Sequence, residues 1–91
     1  MKQSLLVAIE IDSAPSAMAF SPDGKLLAIS GNRGDLSLWK APPEADFVAR
    51  YSGHEKAISG LAFHPDGKTL ATAGHDGVVS LWKVPASAAE K

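Results

Sequence analysis

Not one cysteine occurs among the 91 residues of this chain, which removes disulfide bonds and thiolate metal ligands from the ways it could be held together. A thiol-free composition fits a reducing compartment, and the cytoplasm is the expected location. No excess of charge of one sign is present either: nine Lys and Arg stand against ten Asp and Glu, a net charge of −1, and the cations are scattered along the chain. Without a basic stripe there is no long-range field for phosphates or an anionic membrane surface, so neither a nucleic-acid nor a membrane partner is expected. Long hydrophobic runs are missing as well. The apolar stretch Leu5 to Ile9 is broken by Glu10, far short of the roughly 20 residues of a helical span, and reads as a strand rather than a signal peptide. Finally there is no room for helices, because turn signals interrupt every apolar segment within a few residues.

What is present is a repeat. Residues Ser16 to Lys40 return as Ser59 to Lys83 at an offset of 43 without a gap, and fifteen of the twenty-six pairs from Pro15/Ile58 to Lys40/Lys83 are identical. A fixed period of this length marks units that bury their faces only against one another. Leu61, Phe63, Leu70 and Thr72 alternate with small or polar residues, as strands do. The turns are Ser21-Pro22-Asp23-Gly24 and His64-Pro65-Asp66-Gly67, then Gly31-Asn32-Arg33-Gly34 and Gly74-His75-Asp76-Gly77. Three antiparallel strands per copy follow, about 15–20, 26–30 and 35–40, then 58–63, 69–73 and 78–83. One further apolar strand precedes each unit, at residues 5–11 and 46–51, the second set off by the Ala41-Pro42-Pro43-Glu44 loop. The expected organisation is two units, residues 1–43 and 44–91, the second ending in a short tail.

Gly53-His54, Phe63-His64-Pro65-Asp66-Gly67, Leu70-Ala71-Thr72, Asp76-Gly77 and Leu81-Trp82 together resemble a WD40 repeat, with Lys83 where the family often has Asp. The first copy is degenerate, with Glu10-Ile11 in place of Gly-His. The resemblance implies an all-β fold of two four-stranded antiparallel propeller blades per chain. It also implies a permutation, in which the first strand of each sequence repeat is the outermost strand of the preceding blade. Strand 46–51 should then pair outside strand 35–40, leaving strand 5–11 surplus and strand 78–83 without an outer neighbour. Propellers close with about four to eight blades, so the expectation is homo-oligomerisation, with strand 5–11 of one molecule clasping strand 78–83 of the next. Such a head-to-tail contact ends in a ring or a filament. Four chains in an eight-bladed tetramer are favoured over three in a six-bladed trimer.

His54, Thr72, Asp76 and Trp82 admit two readings. A hydroxyl, an imidazole and a carboxylate are the parts of a nucleophilic triad. They also match the hydrogen-bond network of the resembled family, in which a buried indole N–H needs an acceptor. Trp82 favours the structural reading, since a triad has no use for it. In the first copy Ile11, Ile29 and Arg33 replace the set beneath Trp39, which must find another acceptor or solvent. His54, His64 and His75 lack metal-ligand spacing, and Gly31 to Gly34 has neither the length nor the Lys of a phosphate loop. No metal or cofactor is expected.

The function expected is that of a non-enzymatic interaction scaffold, binding a peptide or protein on the propeller face. By the resemblance, its contact positions are Lys56, Ile58 and His75, with Ser13, Pro15 and Asn32 in the first copy. The alternative is a structural piece with no ligand of its own, either an excerpt of a longer regulatory protein or an engineered propeller fragment. Met1 and the tail from Pro85 to Lys91 fit a free-standing chain. A hydrolase using His54 is the remaining alternative.

Overall fold

Each Pro-Asp-Gly turn closes a hairpin through the same bonds in both repeats. The amide of Gly24 donates to the Ser21 carbonyl at 2.9 Å, and that of Gly67 to the His64 carbonyl at 2.8 Å. The Asp side chain then accepts from the amide two residues on, Lys25 at 2.9 Å and Lys68 at 2.8 Å, which is why Asp stands at this position. The structure, a computed structural model, describes Ser4 and residues 8–41, 44–52 and 54–85. Seven strands and no helix occur among them: β1 (Pro15–Phe20), β2 (Leu26–Gly31), β3 (Asp35–Lys40), β4 (Phe47–Ser52), β5 (Ile58–Phe63), β6 (Thr69–Gly74) and β7 (Val79–Lys83).

Two antiparallel sheets result, one in the order β1-β2-β3-β4 and one in the order β5-β6-β7. β4 pairs outside β3, with Leu36 opposite Tyr51 and Leu38 opposite Ala49, so the expected completion of the first blade by the strand after it is what the fold contains. The second blade has three strands among the described residues, and β7 carries no outer neighbour. Of the expected N-terminal strand, residues 5–7 lie outside the described residues, and residues 8–11 are not in a strand.

Because side chains alternate across a strand, register sorts each blade into two faces. In the first blade Leu26, Ala28, Leu36 and Leu38 share one face, and Met18, Phe20, Leu27, Ile29 and Trp39 share the other. In the second blade Leu61, Phe63, Leu70, Thr72 and Trp82 lie on one face, opposite Ala62, Ala71, Ala73, Val79 and Leu81. The blades stack with β5 against β1 and β2. The core is therefore Leu26, Ala28, Leu36 and Leu38 packed on Ile58, Leu70, Leu61, Phe63 and Trp82. Tyr51 reaches across from β4, its ring 5.2 Å from that of Trp82 and its hydroxyl donating to the Lys83 carbonyl at 3.1 Å. This partial burial raises the Tyr51 pKa.

Ile58, at the start of β5, is fully enclosed in this core. Its truncation to Ala should cost about 2–4 kcal/mol by transfer and cavity terms together, measured by urea denaturation. A loss below about 1 kcal/mol would mean that β5 is not anchored in a common core.

Candidate functional site

Two strands, a turn and the segment before β5 converge behind the indole of Trp82. Thr72 stands on β6 facing the first blade, Trp82 on β7 on the same face, His54 in the segment entering β5, and Asp76 in the β6–β7 turn. The four side chains form one chain of hydrogen bonds. The Trp82 Nε1–H donates to Thr72 Oγ1 at 3.0 Å, and Thr72 Oγ1 lies 2.8 Å from His54 Nε2. His54 Nδ1 is 3.1 and 3.2 Å from the two oxygens of Asp76. A carboxylate only accepts, so His54 Nδ1 carries the proton that points at Asp76, and His54 Nε2 and the Thr72 hydroxyl share the hydrogen bond on the other side of the ring. Asp76 also accepts the amides of Val78 at 3.1 Å and Glu55 at 3.2 Å. Burial pushes the Asp76 carboxyl upward, but the hydrogen bonds from His54, Val78 and Glu55 outweigh it and hold the pKa below its ordinary 3.8. Among the described residues no enclosed side-chain polar atom lacks a partner.

Chemically this is the order of groups in a nucleophilic triad, hydroxyl to imidazole to carboxylate. It differs in access. The Thr72 hydroxyl is enclosed and its oxygen already accepts the indole N–H, so no reacting carbonyl has a path to it. What the arrangement does is tie the β6–β7 turn, the loop before β5 and the outer strand together through groups whose desolvation is compensated.

The first blade solves the same problem differently. Ile29 sits where Thr72 does and offers no hydroxyl, so the Trp39 indole donates instead to Ser37 Oγ on its own strand at 2.8 Å, and Ser37 Oγ donates to the Ile29 carbonyl at 3.3 Å. Trp39 also packs edge-on against Phe47, 5.3 Å between centroids. At the turn, Ser13 Oγ donates to Asp35 Oδ1 at 2.6 Å, bridging the segment before β1 to the start of β3. This pair fills the place of His54 and Asp76. A Cβ on Gly31 would strike Ser13 and Asp35, and one on Gly74 would strike His54 and Asp76. The pair escapes a comparison of equivalent positions, because Ser13 corresponds to Lys56 and Asp35 to Val78, two residues displaced from the His54 and Asp76 positions.

The residues nominated for ligand contact collect at one end of the sheets, where β1 and β5 begin and the β2–β3 and β6–β7 turns lie. Bonds from Asn32 N to the Ala14 carbonyl and from His75 N to the Ala57 carbonyl, both 2.9 Å, hold each turn beside the entry to its blade. Pro15, Asn32, Lys56 and His75 are exposed there. Two nominations require correction. Ile58 is buried between the blades, because its side chain anchors β5 in the core rather than facing solvent. Ser13 is half-buried and its hydroxyl already donates to Asp35. Gly53 of the Gly53-His54 pair lies outside the described residues.

Thr72→Val should cost about 1–3 kcal/mol in a denaturation series, since it leaves the indole N–H and His54 Nε2 without partners. The triple change His54→Ile, Thr72→Ile and Asp76→Arg imports the first blade's residues and should cost less than the sum of its single changes; additive losses would dissolve the network. The depressed pKa of Asp76 adds a pH signature. Its carboxylate contributes stability that is fully present above 3.8 and lost as pH falls through the lower folded-state value. The stability gap between the wild type and Asp76→Asn should therefore close on acidification; a gap independent of pH would remove the charge from the account.

A sequence model of one protein family, described as WD domain, G-beta repeat, matches residues 10–40 and again residues 45–83. No curated protein matches the chain.

Proposed function

The chain belongs to the WD40-repeat family, and from that premise we propose that it is a non-enzymatic interaction scaffold whose copies assemble head to tail into a closed propeller. WD40 repeats indicate a protein-interaction scaffold of the β-propeller type.

One observation carries it. The blades meet through one face of the first and the opposite face of the second, leaving Met18 and Phe20 exposed on the other face of the first blade and Val79 and Leu81 on that of the second. At the 43-residue offset these exposed residues are counterparts of packed ones. Val79 and Leu81, 70% and 71% exposed, correspond to Leu36 and Leu38, 1% and 0% exposed. On the other side exposed Met18 and Phe20 correspond to Leu61 and Phe63, which pack against the core. The outer face of the second blade is thus shaped for the outer face of another copy's first blade. Exposed apolar sheet of this kind marks an interaction surface, and repetition of the internal contact gives a heterologous, ring-forming one.

The clasp follows from the same offset. The β3–β4 register, transferred by 43 residues, puts Ile9 of one copy opposite Val78 of the next, and Ala8 opposite Val79. It would cover the free edge of β7, an aggregation hazard when left open. Four chains give the favoured eight-bladed ring and three a six-bladed one. Pro15, Asn32, Lys56 and His75 then repeat around one rim as the surface offered to a peptide or protein. The enclosed Thr72 hydroxyl supports the non-enzymatic reading and argues against a hydrolase built on His54.

Native mass spectrometry at micromolar concentration should give a discrete ring, with a tetramer expected; a stable, monodisperse monomer overturns the assembly and favours further blades of a longer polypeptide as the covering surface. Leu38→Ala should cost about 2–5 kcal/mol in any state. Leu81→Ala should leave the lone chain nearly unchanged and weaken the ring. Wild-type association by Leu81→Ala would rule out this face as the contact.

A further inference from the structure

Gly34 and Gly77 occupy the same place in the two repeats, yet their surroundings differ. Each closes its turn with φ in the left-handed region, +86° and +82°, and each donates its amide to the glycine three residues earlier at 3.1 Å. A Cβ on Gly34 would collide with the backbone carbonyls of His54 and Lys56, in the segment that leads into the second blade. A Cβ on Gly77 would meet no atom of the described residues within 4 Å. The first turn therefore lacks a side chain for two reasons, conformation and a close neighbour. Among the described residues the second has only the conformational reason.

The missing neighbour has an identity. Residues His54 and Lys56 correspond at the 43-residue offset to Ile11 and Ser13. These enter the first blade as the others enter the second: the Asn32 amide binds the Ala14 carbonyl just as the His75 amide binds that of Ala57. Ser13 is further held by its bond to Asp35, and Asp12 by an ion pair with Arg50 at 3.3 Å, so the segment is presented as a formed element. We propose that the open turn at Gly77 is a socket for the Ile11–Ser13 segment of a second copy of this chain, whose carbonyls pack on Gly77 as those of His54 and Lys56 pack on Gly34. The inference rests on the head-to-tail reading and adds to it a backbone-level contact separate from the apolar faces. The occupant is a second copy because the apolar face beside the turn, Val79 and Leu81, has its counterpart partner on the blade that this same segment enters. Glycine at 77 is then a condition of assembly as well as of turn geometry.

The test compares Gly77→Asn with Gly67→Asn in the full chain. Asn tolerates the left-handed region better than other side chains, and Gly67, at φ +73°, has only Pro22 Cδ near its missing Cβ, at 4.0 Å. Both variants bear similar turn strain, and thermal midpoints of the dissociated chain should shift alike. Sedimentation velocity across a dilution series should show association about tenfold weaker or worse for Gly77→Asn than for Gly67→Asn. Equal association of the two overturns the socket while leaving the ring in place; a wild-type chain that stays monomeric overturns the head-to-tail reading itself. If Gly77→Asn alone fails to fold, Gly77→Ala against Gly67→Ala repeats the comparison. A folding failure peculiar to position 77 in both pairs overturns the socket, because it would reveal a neighbour of Gly77 within the lone chain.

Discussion

A short antiparallel sheet with apolar residues on both faces is not stable by itself, and the stacking of β1–β4 on β5–β7 is the contact on which this chain's core depends. Leu26, Ala28, Leu36 and Leu38 lose their water only because Leu61, Phe63, Leu70 and Trp82 arrive from the other blade. At about 25 cal/mol per Å² of apolar surface removed from water, one such interface is a large share of what a domain this small can gather. The same constraint shapes the outer faces, where Met18 and Phe20 on one blade and Val79 and Leu81 on the other stay exposed. Proposed self-assembly is the continuation of that stacking with the residues already used for it.

The polar elements serve the stacking rather than compete with it. An indole near the core brings an N–H that must be satisfied, and each blade satisfies it from a different strand. Trp82 uses Thr72 on β6, with His54 and Asp76 behind it, whereas Trp39 uses Ser37 on its own β3. The space above Gly74 holds His54 and Asp76, and the space above Gly31 holds Ser13 and Asp35. Two unlike sets of side chains thus meet one geometric demand, the joining of a turn to the segment that enters its blade. Replacing all partners together leaves no group stranded, which is why the first blade can do without the imidazole.

Seven of the eight expected strands were legible from alternation and turn chemistry, with ends that moved by one residue at most; the eighth, over residues 5–11, is not formed at residues 8–11. β2 and β6 run one residue further, into Gly31 and Gly74, because these pair with Pro15 and Ile58 at the start of the inner strands. β3 begins at Asp35, which pairs with Ser52 of β4, whereas its counterpart Val78 has no strand beyond it among the described residues and β7 begins at Val79. The four-residue network behind Trp82 was legible through family resemblance. The Ser13–Asp35 pair was not, because its residues align with Lys56 and Val78, and nothing in a one-dimensional comparison joins positions displaced by two. Ile58 was misjudged for a related reason: its place at the start of an inner strand suggested a rim residue, while the packing of β5 on the first blade turned the side chain inward.

By itself the sequence determined the order of the seven described strands, the turns between them and the partition of each strand into two faces, while the strand expected over residues 5–11 is not formed at residues 8–11. These follow from local rules: Gly and Pro restrict the backbone, and a two-residue period assigns every side chain to a side. Only the tertiary structure decided which face of each blade is covered, which partner each indole takes and where a turn has room beside it. Those outcomes depend on distances between segments far apart in the chain. Gly34 and Gly77 are the same residue in the same turn, and only the backbone of His54 and Lys56 lying against the first makes their situations different.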